Sequence, residues 1–199
     1  MTPFPYPARP QERRHGPRGY ADHGSFRPWL RDDFHFRCVY CLLREQWGRA
    51  RGTFGIDHFL PVALHPERSL VYDNLVNCCL ACNDAKGKRV IPDPCQYLVD
   101  GAVTVRHDGS LSVRTREARR IVAKLGLDDR ETREFRALWL GIIDMAERYD
   151  PPLYRRLMGY PDDLPNRARL RPPGGNSRPD GVALSCWARR KEGLLPTTY

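Results

Sequence analysis

Two C-x2-C pairs, Cys38/Cys41 and Cys79/Cys82, constrain this chain more than any other feature of its sequence. A C-x2-C turn presents two thiolates from one loop, and tetrahedral zinc takes four thiolates in closed structural sites. One pair alone would be a weak sign, because redox motifs share the spacing. Two pairs, separated by residues 42–78, point to one zinc held by all four sulfurs; the alternative is reduced, buried thiols without metal. Cys78 and Cys79 are adjacent and residue 81 is Ala, so only Cys79 has a cysteine three positions on. Cys78 is expected to point elsewhere. Zinc held this way keeps no open position for water. Its binding energy becomes folding energy for a unit too small to bury much core.

Around the cysteines the sequence alternates short apolar runs with loops. FHFRCVYC reads as a short strand entering the first cysteine turn, and LLREQWGRARG as a short helix or irregular loop. TFGIDHFLP is an apolar strand ended by Pro61, with Asp57 and His58 near its end. LVNCC is a second short strand, and a helix starts near Leu80 and stops at Gly87. Beyond Pro94 the pattern reads as β: QYLV, AVTVRH and LSV, separated by Asp100-Gly101 and Asp108-Gly109, which are hairpin signals. Two helices follow. In the first, capped by Thr115 and ended by Gly126, Ala118, Ile121, Val122 and Leu125 share a face. In the second, spanning roughly 129–148 with Asp128 as cap, Phe135, Leu138, Trp139, Ile142, Ile143 and Ala146 recur at helical intervals and are expected in the core. The fold class is α+β, a small zinc-stapled unit followed by a hairpin and two helices.

The net charge is +9, and its distribution matters more than its sum. Residues 1–30 carry five Arg against two acids, and residues 164–199 seven Arg or Lys against two acids, whereas residues 31–163 are nearly balanced. Both ends are rich in Pro, Gly and Arg with little apolar periodicity, which predicts disordered basic arms. Such arms gain affinity for polyphosphate by releasing counterions, without reading sequence. No apolar run is long enough to span a membrane, and no apolar segment follows a basic start at the N-terminus, so neither a membrane partner nor secretion is expected. An odd count of seven cysteines, four at ligand spacing, fits a reducing, cytoplasmic compartment better than a disulfide framework.

The segments CVYC, GIDHFLP and YDNLVNCCLACNDAKGK, within roughly residues 36–90, resemble the HNH nuclease family with its ββα-metal fold. The resemblance implies that His58 is the general base that activates water, and that Asn74 orients it through its loop. It implies that Asp57 ligates a catalytic metal and that Asn83 occupies the last family position, where His or Asn serves as the other ligand. The chemistry agrees: a neutral imidazole accepts a proton from water at cellular pH. A carboxylate and an amide oxygen are hard ligands suited to Mg2+ or Mn2+. Asn83 stands where the family often has His, which removes a nitrogen ligand and disfavours late transition metals such as Ni2+. Lys86, Lys88 and Arg89 form a basic cluster just past the helix and are candidate phosphate contacts.

On this reading residues 1–30 are a disordered arm, 31–95 the nuclease domain, 96–160 a hairpin and helical extension, and 161–199 a flexible basic tail. The expected function is metal-dependent hydrolysis of phosphodiester bonds in DNA, most of all double-stranded DNA. The resemblance extends to settings such as phage defence, with a protein partner such as a defence-system ATPase, and mobile-element DNA processing. The competing class is a zinc-stapled nucleic-acid-binding subunit that has lost turnover or acts only with a partner. Presence of all four of Asp57, His58, Asn74 and Asn83 argues for the enzyme.

Overall fold

A computed structural model describes residues 3–48, 50–176, 178 and 180–199. Helix α1 (Arg27–Asp33) leads into the first cysteine turn, and a single helical turn, α2 (Ala50–Thr53), precedes strand β1 (Phe54–His58). Strand β2 (Leu75–Cys79) pairs antiparallel with β1, with Phe54 opposite Cys79 and His58 opposite Leu75. Helix α3 (Leu80–Lys86) follows without a loop, because Cys79 is both the last strand residue and the helix N-cap. Gly87, at φ +50°, ends α3 in a backbone region that costs glycine nothing. The ββα unit thus forms at the places that its cysteine and glycine punctuation predicts.

The rest of the α+β fold is built around this unit. After α4 (Pro94–Tyr97), the strands β3 (Val103–Val105) and β4 (Leu111–Val113) make a separate hairpin around Asp108-Gly109. Helices α5 (Arg116–Lys124), α6 (Arg130–Tyr149) and α7 (Pro151–Met158) follow, and α8 (Asp180–Ala183) and α9 (Cys186–Lys191) lie near the C-terminus. Thr115 caps α5 by accepting from the Ala118 amide, and Ala118, Ile121, Val122 and Leu125 are buried together. Among the described residues, no helix is long and apolar enough to cross a membrane.

Several expectations differ from the structure for physical reasons. QYLV is not a strand: Asp93 accepts from the Cys95 amide and Pro94 opens a helical turn. FHFRCVYC forms no strand but only an isolated bridge between Arg37 and Arg44. The cap of α6 is Asp129; Asp128 instead accepts from the Leu111 amide at 2.8 Å and pairs with Arg133. Leu138 and Phe135 of α6 are exposed rather than core, while Ile143 and Ala146 are buried and Trp139 stacks on Trp47.

The largest difference concerns the described residues of the two terminal segments, many of which pack into the fold rather than forming disordered arms. Phe4 and Tyr6 are buried in the main core, and the Tyr6 hydroxyl donates to the Tyr40 carbonyl at 3.1 Å. Arg13 reaches the Leu75 carbonyl of β2 at 2.9 Å. Two adjacent carboxylates on α1 gather the ends of the chain. Asp32 faces buried His15 at 2.9 Å and accepts from the Cys186 amide, with buried Arg167 3.7 Å away. Asp33 accepts from the Arg14 amide and from the Tyr72 hydroxyl at 2.6 Å. Arg13, Arg14 and Arg167, which look like solvated charge in the sequence, donate hydrogen bonds within the fold.

Candidate active site

The zinc cage assembles from both halves of the ββα unit. The Sγ atoms of Cys38, Cys41, Cys79 and Cys82 all lie within 4.8 Å of one another. Cys41 and Cys79 are 3.7 Å apart, close to the ~3.8 Å edge of a tetrahedron with Zn–S bonds of about 2.3 Å. The first pair sits on a tight turn in which the Cys38 amide donates to Leu43 and the Leu42 amide to Cys38. Leu42 holds a left-handed φ of +62° there, unusual for a branched side chain, and offsets it by burying that side chain. The second pair spans the β2–α3 junction. Cys78 points out of the cage, with its Sγ 4.0 Å from the Gly55 carbonyl, and burial pushes its thiol up. Four converging sulfurs fit structural zinc, and Cys78 is not among them.

The β1–β2 ladder places Asp57 and His58 at the end of β1. Asp57 is buried at 5% exposure. Its Oδ2 accepts from the Tyr40 hydroxyl at 2.5 Å and its Oδ1 from Lys86 Nζ at 2.9 Å. Burial raises its pKa, against the lowering pull of Lys86 and Tyr40. Lys86 also donates to the His58 carbonyl at 2.8 Å and is almost fully buried. This corrects the expectation of a surface phosphate contact at Lys86: its ammonium is committed to the interior. Lys88 and Arg89 are exposed, and Arg89 donates to the Ala85 and Lys124 carbonyls.

His58 is half-buried, and its Nε2 lies 2.9 Å from the Ser69 carbonyl. A carbonyl can only accept, so Nε2 carries the proton and Nδ1 keeps its lone pair. Burial lowers the His58 pKa, the Ser69 contact raises it and His23 lowers it. Ser69 belongs to the long β1–β2 loop, and Asn74 holds that loop closed. The fully buried Asn74 accepts from the Leu60 amide at 2.8 Å and donates to the Leu60 and Arg68 carbonyls.

Asn83 is half-buried on α3 directly after the zinc ligand Cys82. Lys86 stands three residues further on, hence on the same helix face, and reaches Asp57. The structure therefore gathers Asp57, His58 and Lys86 at one edge of the β-pair and places Asn83 on the helix face that Lys86 shares. A carboxylate has about four lone-pair sites, and Tyr40 and Lys86 occupy one each, so Asp57 retains capacity for a further cation. One carboxylate plus one amide oxygen is the sparse, hard donor set that Mg2+ uses with water and phosphate. The residues present fit such an ion.

Sequence reasoning missed two participants, Tyr40 and His23, and gave a third, Lys86, the wrong role. Tyr40 lies between the two cysteines of the first turn, so its nearness to the site followed from the cage. Lys86 could have been turned inward by its helical phase relative to Asn83. His23 gave no signal. Its short helical turn is capped by Asp22, which accepts from the Ser25 amide, and its ring lies edge-on to His58 with centroids 5.2 Å apart.

A family model described as HNH endonuclease matches residues 38–89. The matched segment contains the cage, both strands, the loop between them and α3. No curated protein matches the chain. The match points to nuclease activity on nucleic acid, since the family is generally one of endonucleases.

Proposed function

We propose that the protein is a metal-dependent endonuclease that hydrolyses phosphodiester bonds of duplex DNA, with Mg2+ or Mn2+ at Asp57 and Asn83. The observation that carries this reading is the contact of His58 Nε2 with the Ser69 carbonyl. It commits the ring proton to Nε2 and leaves Nδ1 as a base. Burial favours the neutral imidazole, so the base is ready at neutral pH. Asn74 keeps the carbonyl in place by tying the loop to itself. His58 then takes a proton from the water that attacks phosphorus.

Asp57 and Asn83 would hold the divalent ion, which when bound neutralises charge on the scissile phosphate and on the leaving oxygen. Lys86 keeps the Asp57 carboxylate ionised and aimed within a buried setting. The zinc cage fixes Asn83 through its covalent neighbour Cys82 and takes no part in chemistry. Exposed Lys88 and Arg89 supply phosphate contacts, and the net charge of +9 favours a polyanionic substrate.

The test is incubation of zinc-loaded protein with supercoiled plasmid and, separately, with RNA, in Mg2+, Mn2+ or EDTA. Nicked or linear plasmid with either ion and none in EDTA is the expected result. Cleavage of RNA alone would contradict the DNA assignment. Cleavage in EDTA would contradict the divalent ion.

A further inference from the structure

The longest helix carries an apolar stripe that the rest of the described chain covers only in part. On α6, Phe135, Leu138, Ile142, Met145 and Tyr149 recur at alternating steps of three and four, a seven-residue repeat with two apolar positions. Leu138 is 61% exposed, Met145 59% and Tyr149 74%. The helix buries a different face, Arg136, Ile143 and Ala146, in the chain's own fold. It is therefore apolar on two sides, only one of which is buried.

The flank of the stripe that faces solvent carries Glu134, Gly141 and Arg148, again seven residues apart. This flank is self-complementary. An antiparallel pairing about a twofold axis near Ile142 sets Leu138 against Met145 of a second copy and Phe135 against Tyr149. The same axis brings Glu134 of each copy to Arg148 of the other, and Gly141 to Gly141. A side chain added at Gly141 would meet nothing within 4 Å, so this point of the helix is open to close approach by another backbone. Parallel pairing offers no such match, because the opposite flank of the stripe, Trp139 and Ala146, is turned toward the chain's own core. Within one chain Glu134 and Arg148 are about 21 Å apart along the helix at 1.5 Å per residue, so they cannot pair with each other. Their present partners, Arg130 and Asp144, form exposed i,i+4 pairs of small worth that rearrange easily.

We propose that α6 is a homodimer interface, in which two copies of this chain pack their 135–149 stripes antiparallel about a twofold axis. A closed, isologous contact of this kind uses the same patch on both partners, which is what the twofold match of apolar steps and charges provides.

Sedimentation velocity of the full, zinc-loaded chain over a wide dilution range tests the proposal, with helix content and zinc checked for each variant. The wild type should pass from monomer to dimer as concentration rises. Leu138→Glu with Met145→Glu should give a monomer of unchanged helix content. Glu134→Arg and Arg148→Glu should each weaken the dimer, roughly two- to thirtyfold in Kd for two symmetry-related exposed pairs. The variant carrying both charge reversals should recover most of that loss. A wild type that stays monomeric throughout, a stripe variant that still dimerises, or a double reversal no better than the singles would overturn it.

Discussion

Replacing Lys86 with Met removes the ammonium that faces the buried carboxylate of Asp57 and leaves most of the side-chain volume. The two charges are 2.9 Å apart, with side chains 1% and 6% exposed. At an effective dielectric constant of about 20, that separation corresponds to roughly 6 kcal/mol of attraction. Desolvation of both ions offsets much of this, so the pair as a whole contributes little net stability. Breaking it is another matter, since an uncompensated buried charge costs about 3–5 kcal/mol. Lys86→Met should therefore destabilise the zinc-loaded protein by about that amount. Asp57→Asn should cost somewhat less, because Lys86 keeps the His58 carbonyl as an acceptor. The double variant should be more stable than the sum of the two losses predicts, by at least about 1 kcal/mol. Urea unfolding of all four proteins, with zinc content verified, gives the cycle. Additivity within about 0.5 kcal/mol would mean that the two groups do not interact and would refute the argument.

Other outcomes follow from the same geometry. Protein purified without added metal should carry one zinc per chain, and Cys79→Ser should lose it and unfold, whereas Cys78→Ser should keep it; folded protein without zinc would remove the cage. The terminal network should make the fold acid-sensitive. Burial acts to raise Asp32, but the His15 contact, Arg167 and Arg14 outweigh it and hold its carboxyl below the ordinary range. Its contribution is thus present above the unfolded carboxylate value of about 3.9 and lost as pH falls through the folded one. In a series of urea midpoints, Asp32→Asn should be less stable than wild type at neutral pH, and the gap should close below about pH 4. A gap that does not change with pH would show that Asp32 is not ionised in that network.

The ββα unit was legible in the sequence because each of its boundaries has a chemical marker. The cysteine pairs mark both turns, Asp57-His58 marks the end of β1, and Gly87 marks the stop of α3. The terminal segments have no such markers. Their burial rests on single aromatic residues and on arginines that meet carboxylates and carbonyls far away in sequence, as with Arg167 near Asp32 and Arg13 at Leu75. No periodicity records contacts of that kind. Lys86 was misplaced for a different reason. Its neighbours Lys88 and Arg89 suggest a surface cluster, but one helical turn separates it from Asn83, and that phase turns it inward to Asp57. At QYLV, alternation was outweighed by Asp93-Pro94, a helix-start signal that was present in the sequence.

The central claim, that His58 is the base of a nuclease site, is tested most directly by the rate of plasmid nicking by His58→Ala under single-turnover conditions with Mg2+ or Mn2+. The variant should retain its zinc and its urea midpoint, because the His58 ring is half-buried and its hydrogen bond among the described residues is with a loop carbonyl, while the backbone carbonyl that Lys86 uses is unchanged. Loss of a general base should slow cleavage by about 10²–10⁴-fold. Nicking at the wild-type rate by a folded, zinc-loaded His58→Ala protein would contradict the account.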